Sequence, residues 1–209
     1  MTMNLKVSLN DFKEYLEILD ERLSCYRQER KGTEQIEFPV EIYAIGGFAL
    51  MYYGLRYSGT EDIDSVKLLE KPVKEIIHEI AAEQELPIDW LNDIPGSKLF
   101  YEKDSFRWID TGWQYKNIRI YVVKMEDLLY NKLCIADKML MQYTERSHYR
   151  DFDDIECIID ALGCNYNTIE ELVGWFRSQG IRLHDFPNVY NQFFELIKED
   201  DLYWPDGHI

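Results

Sequence analysis

The chain is short of cysteine, histidine, positive charge and long apolar runs, and each shortage excludes something. Its four cysteines, Cys25, Cys134, Cys157 and Cys164, show no C-x-x-C spacing, so free thiols in a reducing compartment are expected. The four histidines, His78, His148, His184 and His208, are too scattered to form a metal site. No apolar run approaches the ~20 residues that a bilayer span needs, and the first ten residues carry no secretory-leader pattern. These features predict a cytoplasmic protein with no membrane partner. No Gly-x-Ser-x-Gly or Cys/His pattern offers a covalent nucleophile. Lys and Arg number 23 against 39 Asp and Glu, for a net charge of −16. Gripping nucleic acid along a surface takes clustered Lys and Arg, and that class is disfavoured. A nucleotide pocket needs only a metal and a few local cations and stays open, as does a basic partner protein.

The most informative stretch runs from Glu41 to Val66, EIYAIGGFALMYYGLRYSGTEDIDSV. The apolar run Ile42–Ile45 stops at Gly46-Gly47, which predicts a short buried strand ended by a bend. Phe48–Tyr53 predicts a helix of about two turns. Ser58-Gly59-Thr60 is turn material, and Glu61–Val66 predicts a second strand. Side chains two apart on a strand point the same way, so Asp62 and Asp64 share a face and Ile63 takes the other. Two carboxylates this close repel unless a cation lies between them. Oxygen-only ligands favour magnesium or manganese. The paired glycines supply backbone N–H groups at a helix start, a setting that suits phosphate. The alternative is a tight strand-to-helix turn followed by two solvent-facing acids.

Gly46-Gly47, Arg56 and Thr60-x-Asp62-Ile63-Asp64, in that order, resemble the signature of the polymerase-beta-like nucleotidyltransferase superfamily, in its minimal bacterial, toxin-type branch. The resemblance implies an α+β fold, a mixed-sheet nucleotidyltransferase core with helices packed on it. It implies a nucleoside triphosphate substrate and a magnesium (or manganese) ion on Asp62 and Asp64. Gly46, Gly47, Arg56 and Thr60 would lie on the nucleotide. The acceptor would be an RNA end or a protein hydroxyl, and the setting a toxin paired with an antitoxin. A third carboxylate often follows on a later strand in this superfamily. Asp89 is the candidate, on a strand expected around Ile88, and Asp110 is its rival. The string Trp90-Leu91-Asn92-Asp93 also resembles the minimal branch.

Elsewhere the pattern is helical or extended in turn. Ser8–Arg30 opens on a capping sequence and repeats apolar residues at helical spacing. Lys71-Pro72 starts another helix, which ends near Glu85. Ile118–Val123 is a β-branched strand. From Met125 onward the chain turns helical, so the expected division is a core over residues 1–124 and a helical region over 125–209. Short helices are expected at Thr168–Phe176 and Val189–Ile197, with Asp201–Ile209 loosely ordered.

Two charges fall on apolar helical faces. At about 100° per residue, Lys132 lies beside the stripe Leu129, Leu133, Ala136, Leu140. Asp151 shares the face of Ile155, Ile158, Ile159 and Leu162, with Asp154 at its edge and Arg150 off it. Either Lys132 and Asp151 form a buried ion pair that fixes packing, or both face a cleft, with Lys132 on phosphate and Asp151 orienting it. The pattern Lys132-Leu133-x-x-Ala136 followed by Arg150-Asp151-x-x-Asp154 resembles the C-terminal motifs of toxin-type nucleotidyltransferases. That similarity implies catalytic roles for Lys132 and Asp151 and a nucleotide contact for Arg150. The same motifs fit a nucleotidyltransferase fold that binds or regulates without turnover.

Overall fold

The computed structural model describes residues 6–29, 36–94, 103–142, 148–164 and 169–181, with backbone alone at 103, 136–142, 148–152 and 169. The chain divides into two compact units, Met1–Leu128 and Leu129–Ile209. The first holds a five-stranded mixed sheet and its helices, an α+β architecture.

Helix α1, Leu9–Glu29, starts on a reciprocal cap. Ser8 Oγ accepts from the Asp11 N–H at 3.2 Å, and Asp11 accepts from the Ser8 N–H at 3.1 Å. Two donors that a helix start leaves open are thereby satisfied. Phe12, Leu16, Leu19 and Leu23 form its buried stripe. Strand β1, Val40–Ile45, runs into helix α2, Gly46–Tyr52. Strand β2 is Ile63–Ser65, and helix α3 is Lys71–Glu83 with Pro72 in its first turn. Strand β3 is Leu91–Asn92, β4 is Trp108–Asp110 and β5 is Ile118–Val123. Helices α4, Met125–Gln142, α5, His148–Leu162, and α6, Ile169–Ser178, follow. The helix expected at Val189–Ile197 and the tail lie outside the described residues.

The strand order is β3-β2-β1-β5-β4. Strands β1 and β5 run parallel, as do β2 and β3; β1 with β2 and β4 with β5 are antiparallel. The register fixes which residues share a face. Val40, Ile42 and Ala44 align with Ile118, Ile120 and Val122, and Ala44 aligns with Ser65. All of these, with Ile63, are buried. The opposite face carries Glu41, Tyr43 and Ile45, then Arg119 and Tyr121, then Trp108 and Asp110, with Asp64 beside Ile45. Tyr43 stacks on Tyr121 at 4.6 Å and meets Trp108 edge-on at 5.0 Å.

One strand departs from expectation. The alternation around Ile88 predicts a strand there, but Ile88 is 65% exposed in a turn, and pairing begins where Trp90 O accepts from the Ile63 N–H at 2.7 Å. Trp90 decides this. Its ring is fully buried and its indole N–H donates to Ile77 O on α3, so the chain cannot extend until that ring is seated.

Polar clamps fix the sheet's ends. Asp20 on α1 accepts from the backbone N–H groups of Lys116, Asn117 and Ile118, where β5 begins. Asp127, in the first turn of α4, accepts from the Arg107 backbone and from its guanidinium Nε, each at 2.9 Å. The Tyr53 hydroxyl donates to Val123 O at 2.7 Å and ties the end of α2 to the end of β5.

In the second unit, Leu133, Ile155, Ile158, Leu172 and Phe176 are buried, and Tyr130 meets Phe176 edge-on at 5.8 Å. All four cysteines are free thiols. Among the described residues, no helix is long and apolar enough to cross a membrane.

Burial, then the nearby Glu17 and Asp20 charges, pushes the Tyr115 phenol up from 10.0 to about 12; burial raises Tyr53 further still. A phenol raised in the folded state leaves that state holding the extra proton between these values. The stabilisation is therefore complete below pH 10 and lost as pH climbs towards 12. An alkaline titration should show unfolding in that window, and Tyr53→Phe should make its midpoint more alkaline.

Candidate functional site

The site grows from the end of β1. Ile45 is extended, and the chain then bends at Gly46 with φ +67°, a left-handed conformation that side chains with a Cβ rarely adopt. Space imposes a second demand. A Cβ at Gly46 would lie 3.3 Å from Asp64 Oδ2. Antiparallel pairing sets Asp64 directly across from Ile45, so the carboxylate stands against the bend itself. A Cβ at Gly47 would collide with Thr60 Oγ1 and come within 2.7 Å of Arg56 Nη1. The bend is thus walled by a carboxylate, a hydroxyl and a guanidinium. Helix α2 opens here with no side-chain cap, and the first N–H groups of a helix lack intrahelical acceptors.

Of the residues predicted from sequence, the structure therefore brings Gly46, Gly47, Arg56, Thr60 and Asp64 together. Asp62 leads directly into β2. Burial alternates along Asp62-Ile63-Asp64-Ser65, half-buried then buried. Ile63 and Ser65 are fully buried, and the two acids flank Ile63 on the less buried side. Thr60 is 5% exposed, so its hydroxyl is held in place.

The donor set fits a hard divalent cation. Asp62 and Asp64 offer only oxygen, and magnesium is commonly held by one or two carboxylates with substrate phosphates completing the shell. Among the described residues, no group of three or more His, Cys, Asp or Glu is placed to hold a metal.

The candidates for a third carboxylate lie elsewhere. Asp89 is exposed in the turn before β3, and its backbone carbonyl accepts from Asn92 Nδ2 at 3.2 Å. The residue across from Asp64 on β3 is Asn92. Asp110 ends the edge strand β4, with β5 and β1 between it and β2. It accepts from the Gly112 N–H at 2.8 Å and lies 3.7 Å from Arg119 Nε. Asp93 is committed to the scaffold: it accepts from the Leu69 N–H at 2.8 Å and pairs with Lys74 Nζ at 2.7 Å.

In the second unit, Lys132 Nζ lies 2.8 Å from Asp154 Oδ2, and both side chains are about nine-tenths buried. Asp154, placed by periodicity at the edge of its face, thus supplies a carboxylate to Lys132. Asp151 and Asp154 are one turn apart and neighbours on the helix surface, so spacing alone could not separate them. The side chains of Arg150 and Asp151 lie outside the described residues.

Comparison of the chain with protein-family models, curated proteins and solved structures gives no significant match.

Two outcomes follow from this geometry. Gly47→Ala should displace Thr60 and Arg56, costing about 1–3 kcal/mol of stability, which chemical denaturation measures. Asp154→Ala should destabilise the chain by about 3–5 kcal/mol, because it removes the carboxylate 2.8 Å from a buried ammonium, whereas Lys132→Met with Asp154→Leu should cost far less. Urea unfolding of the single and double variants checks the second outcome.

Proposed function

We propose that this protein is a magnesium- or manganese-dependent nucleotidyltransferase, which moves a nucleoside monophosphate from a triphosphate to a hydroxyl acceptor. One observation carries the reading: the Asp64 carboxylate, the Arg56 guanidinium and the Thr60 hydroxyl converge on the Gly46-Gly47 bend. Anion-binding groups and a metal-binding acid meeting at one backbone turn is what transfer from a triphosphate requires, since catalysis there is mostly positioning and electrostatics.

In this reading, Gly46 and Gly47 hold phosphate oxygens through backbone N–H groups. Arg56 balances their charge, and Thr60 donates a hydrogen bond. Asp62 and Asp64 hold the cation, which when bound neutralises charge on the phosphates. The acceptor oxygen bonds to the α-phosphorus, the bond from that phosphorus to the oxygen bridging to the β-phosphorus breaks, pyrophosphate leaves with that oxygen and the acceptor's proton passes to solvent. The resemblance makes the acceptor an RNA end or a protein hydroxyl and the partner a cognate antitoxin. Net charge favours a protein acceptor, because clustered cations for RNA are scarce in the sequence.

A second reading, a nucleotide-binding module without turnover, draws on a specific observation. No third carboxylate joins Asp62 and Asp64 in a metal-holding group among the described residues.

The test is incubation with each labelled triphosphate and magnesium, scored by pyrophosphate release and by label on protein or RNA. Asp64→Ala and Asp62→Ala should each lower transfer at least about 10²-fold. Transfer that survives Asp64→Ala overturns the metal assignment; magnesium-dependent binding without pyrophosphate release supports the second reading.

A further inference from the structure

The wall of the Gly47 cradle is held from outside by a segment far away in sequence. Val7 N donates to Thr60 O at 2.8 Å, and Thr60 N donates to Val7 O at 3.2 Å. This antiparallel bridge precedes α1 and is isolated from the named strands among the described residues. Val7 is 3% exposed, so its side chain is seated in the core, while Lys6 and Ser8 on either side are exposed. Gly59 makes the seat possible. Its φ is +74°, and a Cβ there would stand 2.8 Å from Val7 O, a backbone atom that cannot swing aside as a side chain could. Thr60, with both its backbone polar groups committed to Val7, presents its side chain to Gly47.

We infer that the backbone of Val7 and the bare Cα of Gly59 are positioning elements for the phosphate cradle, holding Thr60 Oγ1, and with it the Ser58–Thr60 turn, against Gly47. The inference rests on the proposed triphosphate site and names what holds its wall in place. The turn between α2 and β2 carries Arg56 at one end and Thr60 at the other, and no helix or named strand spans it. Two hydrogen bonds to residue 7 therefore supply a restraint that its own secondary structure does not. In the proposed reading Thr60 contacts phosphate both before and during transfer, so loosening it removes binding common to the two and raises KM more than it lowers kcat.

Two substitutions separate the bridge from simple packing. Val7→Pro deletes the N–H that reaches Thr60 and keeps an apolar side chain, while Val7→Ala trims the side chain and keeps both hydrogen bonds. Val7→Pro should raise the KM for the magnesium triphosphate about tenfold, with kcat within about threefold of wild type. Val7→Ala should stay close to wild type in both. Gly59→Ala should reproduce the Val7→Pro result and decides the matter if the proline variant does not fold. Hydrogen exchange provides a readout independent of nucleotide. The Thr60 amide should be protected in the wild type, and Val7→Pro should speed exchange over residues 56–62 while leaving α3 unchanged. An unprotected Thr60 amide in the wild type, or a Val7→Pro protein with wild-type KM and exchange, overturns the inference. A wild type that shows the exchange pattern but binds no triphosphate keeps the latch and overturns the nucleotidyltransferase reading instead.

Discussion

The pairing of Ile45 with Asp64 across β1 and β2 is the constraint on which the rest depends. A one-residue slip in that register would turn Asp64 to the buried face and bring Ile63 or Ser65 to the bend. The slip is resisted from both sides: Ile63 and Ser65 are buried with no exposed surface, and Ser65 Oγ is engaged, accepting from the Tyr43 N–H and donating to Lys67 O. Hydrophobic burial of one face thus aims a carboxylate on the other. The same registry places the aromatic row Tyr43, Tyr121 and Trp108 on the acid's side of the sheet, where it fills space between strands without competing for the bend.

Charge works locally against the global balance. The molecule is strongly acidic, yet the polar groups against Gly47 are a guanidinium and a hydroxyl. In a molecule of this net charge, a long-range field would slow the approach of a polyanion. In the proposed reading, affinity for phosphate comes from short-range contacts at the bend, and those contacts must be held firmly. That requirement gives physical meaning to a buried Thr60 and to glycines at three successive close approaches, 46, 47 and 59.

The local pattern of the chain made much of this legible. The capping of α1, the stop at Gly46-Gly47, the alternation around Ile63 and the β-branched Ile118–Val123 each reflect short-range chemistry that acts within a few residues. What stayed hidden depends on partners distant in sequence. The start of β3 follows from the burial of Trp90 against α3, not from the alternation at Ile88. Edge strand β4, in which Ile109 and Asp110 are exposed and Trp108 only half-buried, has too weak a pattern to stand out beside its Asp110-Thr111-Gly112 turn. Lys132 could be recognised as a charge on an apolar face, but its contact with Asp154 depends on how α4 and α5 approach. The Val7–Thr60 bridge carries no sequence signal beyond Gly59, whose neighbours mark it only as a turn.

The two outermost strands are very short, with two residues in β3 and three in β4. An outer strand normally leaves a row of unpaired amides and carbonyls that another chain can extend. Here that row is cut to a few groups on each side, and beyond β4 the Asp110 carboxylate caps Gly112. The sheet is therefore a poor template for stacking copies into fibrils, a safeguard for a protein whose central strands are rich in Ile, Val and Tyr and would otherwise propagate readily.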